Sequence, residues 1–267
     1  MAGVARPSKR DIANQAIDWV LKNRLRLRGH NLVWPGKKFT PQFFNSQPGF
    51  GASFEDSIAQ HIKEIVTCTK GNIYGWDVIS EMMHEKDYFE VMPRSMAADW
   101  FKVARENDPK ATLFINEYSM PNNIASPKNI QSYLDLIKEL QGYGATIDAI
   151  GVQGHVGRQL RNPAQVLTDL DMFTSTGLPV QITEFDINSP DEELQADYLR
   201  DFLIACYSHP AVNGFTMWGF WERDHWKPDA AMYRRDWTPK PNAEAWIELV
   251  LGEWRTNVTK NLVKTEK

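Results

Sequence analysis

Two glutamates in this 267-residue chain are delivered in the same way by their sequence context. Glu81 closes the run Gly75-Trp76-Asp77-Val78-Ile79-Ser80-Glu81, which comes after a Lys70-Gly71-Asn72 turn. Much further along, Glu184 closes Leu178-Pro179-Val180-Gln181-Ile182-Thr183 and is followed by Phe185 and Asp186. Each run is short and apolar, which predicts a strand that ends on a carboxylate. A lone glutamate at a strand end is usually a solvated loop residue. Two placed alike point to acid/base or nucleophilic chemistry on a sugar, where one carboxyl gives a proton to the leaving oxygen and the other attacks.

The elements that must position this pair follow from periodicity. Ser8 with Asp11 opens a helix carrying Ile12, Ala16, Ile17, Val20 and Leu21, and Leu25 to Trp34 reads as a strand stopped by Pro35-Gly36. Residues 35–52 are a loop, and Ser53 with Asp56 starts a helix with Ile58, Ile62, Ile65 and Val66 on one side. Beyond Gly75–Glu81, the pattern gives a helix over Met96–Asn107, a strand over Ala111–Tyr118 and a helix opening at Ser126-Pro127. Then come a strand over Ile147–Gln153, a helix from Asn162-Pro163, the strand before Glu184, a helix over Asp191–Ser208, a strand over Val212–Trp218 and a closing helix over Asn242–Glu253.

Six strands alternating with helices fit repeated βαβ units in a parallel sheet. A doubly wound sheet would carry a glycine-rich phosphate turn after a strand, and none is found in the sequence. A TIM-type (β/α) barrel instead gathers functional residues at the ends of many strands. His30, Glu81, Asn116, Gln153, Glu184 and Trp218 all fall at or just past a predicted strand end. Residues 1–267 read as one such domain, with about six of the eight βα units of a full barrel.

Composition excludes several function classes. A hydrophobic content of 42% and a charged content of 24% are those of a globular protein, and a net charge of -4 without a basic stripe speaks against nucleic acid. No run is long enough to span a membrane, and the first ten residues lack the apolar core of a signal peptide. Cys68 and Cys206 lie in separate predicted helices with no redox or metal spacing, which predicts two buried free thiols. His84-Glu85 has no second ligand pair at helical spacing, so neither a metal nor a cofactor is expected, and His61, His84 and His209 read as structural. Asn257-Val258-Thr259 fits a glycosylation sequon.

Six ordered segments resemble glycoside hydrolase family 10, the endo-β-1,4-xylanases. They are Arg28-Gly29-His30-Asn31-Leu32-Val33-Trp34, Trp76-Asp77-Val78-Ile79-Ser80-Glu81, Leu113-Phe114-Ile115-Asn116-Glu117-Tyr118, Ile147 through His155, Ile182-Thr183-Glu184-Phe185-Asp186 and Met217-Trp218-Gly219-Phe220. The Trp226-Lys227-Pro228 and Pro239-Lys240-Pro241 regions match as well. The resemblance implies a retaining enzyme with Glu81 as general acid/base and Glu184 as nucleophile, acting on xylan or a related β-1,4-linked plant polysaccharide. It implies sugar contacts for His30, Trp34, Ser80, Gln153, His155, Trp218 and Trp226, supporting positions for Asp77, Asn116, Tyr118 and Asp186, and secretion from the cell.

Three departures from the family's pattern carry expectations of their own. Ser80 stands where asparagine usually hydrogen-bonds the 2-hydroxyl of the reacting sugar, which predicts a weakened contact and an effect mainly on rate. Pro35 follows Trp34 where histidine is usual, and Gly154 precedes His155 where serine is common. By resemblance the chain starts before the barrel's third strand, leaving open edges at Leu25–Val33 and Val212–Trp218. Residues 1–7, a rearranged sheet or a second chain would close the gap; otherwise self-association and moderate stability follow. A carbohydrate-binding protein with a degenerate active site is the alternative to an enzyme.

Overall fold

The computed structural model describes residues 9–118, 126–157 and 160–256, so the Ser8 cap, residues 1–7 and the Asn257 sequon lie outside the described residues. Eight α-helices appear among them: α1 (Lys9–Lys22), α2 (Gln42–Asn45), α3 (Phe54–Cys68), α4 (Met96–Asn107), α5 (Pro127–Gly142), α6 (Pro163–Phe173), α7 (Glu192–Ser208) and α8 (Pro241–Trp246). The expected closing helix changes character after Trp246, where Ile247–Glu253 widens into a π-helix. The sequence-level starts of three helices have a physical basis. Ser126, Asn162 and Asp191 each accept a backbone N–H of the first turn, from Asn129, Ala164 and Leu194 respectively. Ser53 makes no such bond.

Seven strands are present among the described residues: β1 (Arg28–Gly29), β2 (Gly75–Ser80), β3 (Thr112–Glu117), β4 (Ala149–Val152), β5 (His155–Val156), β6 (Val180–Ile187) and β7 (Val212–Met217). All pairings between them are parallel, in the order β1-β2-β3-β4-β6-β7, and β5 pairs with the far end of β6 on the side where β4 pairs with its near end. The β4 and β5 segments are thus one strand interrupted at Gln153-Gly154, giving a six-stranded sheet. Gly154 makes that break at φ 80°, a left-handed conformation that costs a side-chain-bearing residue.

The sheet curls into part of a barrel. Arg28 Nη1 on β1 donates to Gln181 Oε1 on β6 at 2.6 Å, although the two strands are four places apart and would be about 19 Å from each other if the sheet were flat. Every residue of β2 and β6 is buried, as befits strands covered by core on both faces. Tyr133 on α5 is fully buried and donates to the carbonyls of Ile115 and Gly151, both at 3.0 Å, which ties that helix to β3 and β4.

Two expectations are corrected. The strand expected over Leu25–Trp34 shrinks to two residues in regular register, with a further single bridge between Val33 and Ile79. It is an edge, and an edge strand has a neighbour's hydrogen bonds on one side alone. Cys68 is exposed and only Cys206 is buried. Ile58, Ile62 and Val66 form the buried stripe of α3, and Cys68 lies half a turn off that stripe.

The openings anticipated from the sequence are visible in burial. All of β7 is half-buried or exposed, and α1 leaves Ile12 and Trp19 exposed. We expect self-association through these edges, checked by light scattering across a concentration series; a clean monomer with a high melting temperature is the contrary result. Asp77 is 1% exposed and pairs with Arg28 and with His30 Nδ1. Asp77→Asn leaves the Arg28 guanidinium without its buried counter-charge, and a loss of about 3–5 kcal/mol in urea unfolding is expected.

Candidate active site

The C-terminal end of β2 and the middle of β6 bring Glu81 and Glu184 to one cleft of about 510 Å³, shared with Trp34, Tyr118, Gln153, His155, Trp218 and Trp226. Eight of the residues singled out by sequence therefore meet there. Lys38, Phe39 and Glu85 join them, and sequence reasoning missed all three.

Glu81 sits immediately after β2 with φ 62°, in the left-handed region. Such a conformation costs a non-glycine residue about 1–2 kcal/mol and persists where its surroundings over-determine it. Those surroundings are visible. Glu81 N donates to Asn116 O at 2.9 Å, and Glu85 N donates back to Glu81 O at 2.7 Å. The buried Glu117 carboxylate holds the next turn by accepting from Met83 N and pairing with His84 Nδ1, both at 2.8 Å. Glu117 is a strand-end carboxylate like the other two, and that was the signal by which it could have been found.

The two cleft glutamates have different company. Glu81 accepts from Trp34 Nε1 at 2.9 Å and from Gln153 Nε2 at 3.0 Å. Burial raises its pKa, outweighing those two hydrogen bonds, and the charges of Glu117 and Glu184 push the same way. Glu184 is 5% exposed. Its Oε1 accepts from Asn116 Nδ2 at 2.7 Å, and its Oε2 lies 3.3 Å from His155 Nε2. His155 Nδ1 meets Asp186 Oδ1 at 2.9 Å. Burial opposes charge on His155, but Asp186 and Glu184 outweigh it and hold the ring's pKa at about 9, so it is a cation at neutral pH.

The remaining singled-out residues stand behind the cleft. Asn116 is fully buried and is fixed by Thr183 Oγ1, which donates to its Oδ1 at 2.7 Å. Gly151 makes room for it, since a Cβ there would come within 2.5 Å of that same oxygen. Asp186 also accepts from Trp226 Nε1 at 2.7 Å. His30 lies between the two halves: its Nδ1 is bound to Asp77 and 3.8 Å from Glu184 Oε1, and its ring meets Trp34 and Trp218 edge-on. Tyr118, expected as a support, is on the cleft wall, stacked on His84, with its pKa pushed up to about 12 by burial and by the nearby carboxylates of Glu81, Glu117 and Glu85. Ser80, expected to touch substrate, is fully buried, does not line the cleft, and its hydroxyl has no hydrogen-bond partner among the described residues.

Among the described residues no group of three or more His, Cys, Asp or Glu side chains is arranged to hold a metal ion, and no helix is long and apolar enough to cross a membrane. What the arrangement offers is two carboxyl groups facing one space, with indole faces that suit the apolar C–H surface of a pyranose.

Residues 9–249 match the sequence model of glycosyl hydrolase family 10. The chain is 33% identical over 248 residues to Anti-sigma-I factor RsgI6 of Acetivibrio thermocellus, covering 92% of this chain and 31% of that one. It is 32% identical over 210 residues to Endo-1,4-beta-xylanase 2 of Arabidopsis thaliana, covering 79% of this chain and 19% of the relative. It therefore spans less than a third of either curated relative. Among solved structures, xylanase 10B from Thermotoga petrophila RKU-1 in complex with xylobiose superposes with a TM-score of 0.79 at 26% identity, over 91% of this chain and 79% of that chain. The six-stranded curl is the same (β/α)-barrel architecture carrying fewer strands.

His155 gives a pH prediction. Its folded pKa of about 9 exceeds the unfolded value near 6.5, so its stabilising contribution is complete below about pH 6.5 and disappears as pH climbs through 9. The unfolding free energy of the wild type minus that of His155→Asn should therefore narrow by about 3 kcal/mol between pH 6 and 10, read by urea denaturation.

Proposed function

The chain belongs to glycosyl hydrolase family 10, and on that premise we propose that it is an endo-β-1,4-xylanase that cuts internal bonds of xylan with retention of configuration. A related β-1,4-linked plant polysaccharide falls within the same proposal. One observation carries it: two carboxylates face one cleft in opposite electrostatic settings. Glu81 is biased toward its protonated form by burial, whereas both oxygens of Glu184 are met by donors, Asn116 and the charged His155. A double displacement needs that division of labour.

In the first step Glu81 gives its proton to the glycosidic oxygen as a Glu184 oxygen attacks the anomeric carbon, and the leaving chain departs with a new hydroxyl. Asn116 and His155 hold the attacking carboxylate, and Trp34 and Gln153 hold the donor. In the second step Glu81, now ionised, takes a proton from a water that attacks the same carbon and frees Glu184. Trp218 and Trp226 supply flat surfaces for the sugar ring. His30, braced on Asp77, stands beside Glu184 with its ring edge-on to Trp34 and Trp218. An extracellular site of action belongs with this reading, because the substrate is a polymer outside the cell.

The second reading, a carbohydrate-binding protein on the same fold, is favoured by the buried Ser80 hydroxyl, which lies next to the proposed acid and has no hydrogen-bond partner among the described residues. Reducing-end release from xylan separates the two. The wild type should release reducing ends and Glu184→Ala should lose about 10³-fold or more in rate. Equal rates in the two proteins, or none in either, would sink the proposal, and retention on insoluble xylan without turnover would select the binding protein.

A further inference from the structure

The loop that leaves β7 carries more aromatic surface than the cleft uses. It runs from Trp218 to Trp226, both of which line the cleft, and between them lie Phe220 and Trp221. Trp221 stacks on Trp237 with ring centroids 4.9 Å apart and planes 12° from parallel. Phe220 lies 6.0 Å from the same Trp237 ring.

This cluster is firmly held. Phe220 O accepts from both Met232 N at 3.1 Å and Tyr233 N at 2.7 Å, and Trp221 and Tyr233 form a bridge. Trp221 Nε1 donates to Arg235 O at 3.2 Å. The loop is also tied to the cleft, because His225 N donates to Trp221 O at 3.0 Å and the buried His225 side chain bonds Trp218 O at 2.6 Å through Nε2. Trp237 has φ 69°, a conformation that a bulky residue adopts only under constraint.

Yet Phe220 is 54% exposed and Trp237 53% exposed. Burial therefore does not account for the arrangement: ordered aromatic faces are presented to water, beside exposed charges of both signs. The Arg223 guanidinium lies 5.6 Å over Trp221, and Arg235 and Asp236 are exposed on the neighbouring turn. Flat apolar islands bordered by hydrogen-bonding groups match single pyranose rings, whose C–H faces stack and whose hydroxyls project from the edge.

We propose that Phe220, Trp221 and Trp237 form a second sugar-binding surface that holds a stretch of the same β-1,4-linked chain outside the cleft. The occupant is argued from continuity, since a single loop carries the cleft's Trp218 and Trp226 at its ends and this surface between them. The proposal rests on the xylanase reading. A long substrate engaging both surfaces gains through effective concentration, whereas one that fits the cleft alone gains nothing.

The test compares wild type, Trp237→Ala, Trp237→Tyr and Phe220→Ala on soluble polymeric xylan and on an aryl β-xylobioside, which fills the cleft alone. Melting temperatures are measured in parallel. Trp237→Ala should raise KM on the polymer about five- to tenfold, the equivalent of one lost aromatic stack, with aryl xylobioside kinetics within about twofold and most of the loss recovered in Trp237→Tyr. Phe220→Ala should shift the polymer in the same direction. Unchanged polymer kinetics overturn the proposal, and so does an equal loss on both substrates, which would make these residues supports of the cleft. If the wild type hydrolyses neither substrate, the xylanase reading itself falls. If it hydrolyses both and the variants match it, only the second surface falls.

Discussion

Two groups of mostly buried polar side chains inside the curled sheet are what the rest of the structure depends on. Arg28 on β1 binds Asp77 on β2 and Gln181 on β6, Gln181 passes the connection to the exposed Asn213 on β7 at 3.0 Å, and separately Asn116 on β3 joins Thr183 and Glu184 on β6. A buried polar group without a partner costs about 1–3 kcal/mol, so a one-residue slip of any of these strands would be penalised several times over. The two groups fix register and curvature together, and they do so directly beneath the two glutamates. The geometry of the cleft and the stability of the barrel are therefore carried by the same bonds.

The difference between the glutamates grows from the strands on which they sit. Glu81 is placed after its strand has ended, on a strained turn, so it protrudes into a partly desolvated space with only neutral donors, Trp34 and Gln153, against it. Glu184 lies inside β6, which continues to Ile187 because β5 pairs with Asp186 and Ile187. That continuation brings His155 alongside with Asp186 behind it, so the charge on the imidazole is retained where burial alone would remove it. A break in one strand and the persistence of its neighbour thus set two unlike environments a short distance apart.

Most of this is legible from residue order because the strands are short, apolar and β-branched and their ends are marked by polar residues. The pairing of Glu81 with Glu184 can be read from repetition alone. Phe39, Lys38 and Glu85 cannot: the stretch 35–52 expected as a loop holds short helical turns, α2 among them, with Lys38 and Phe39 on the 3-10 turn Lys37–Phe39, while Glu85 lies in the turn after Glu81, and none of these is long enough to show a period. β6 runs past the end expected at Thr183 to Ile187, because its extension depends on β5, a two-residue partner too short to show a pattern. Cys68 departs from expectation for another reason: its helix is amphipathic, and apolar character does not say which face the thiol takes.

Ser80 shows how a local irregularity can overrule alternation. Asp77 is in register with Phe114, but a shift between Asp77 and Ile79 then aligns Ser80 with Asn116, so the residue before Glu81 shares the register position of the group that binds Glu184. A bulge of this kind re-aims the residues beyond it, here into the left-handed turn at Glu81. The serine hydroxyl is left fully buried without a partner among the described residues, and to reach a sugar it would have to leave that position. Under the proposed activity, any influence of Ser80 on turnover passes through the backbone of β2 and the placement of Glu81, because the side chain itself does not line the cleft.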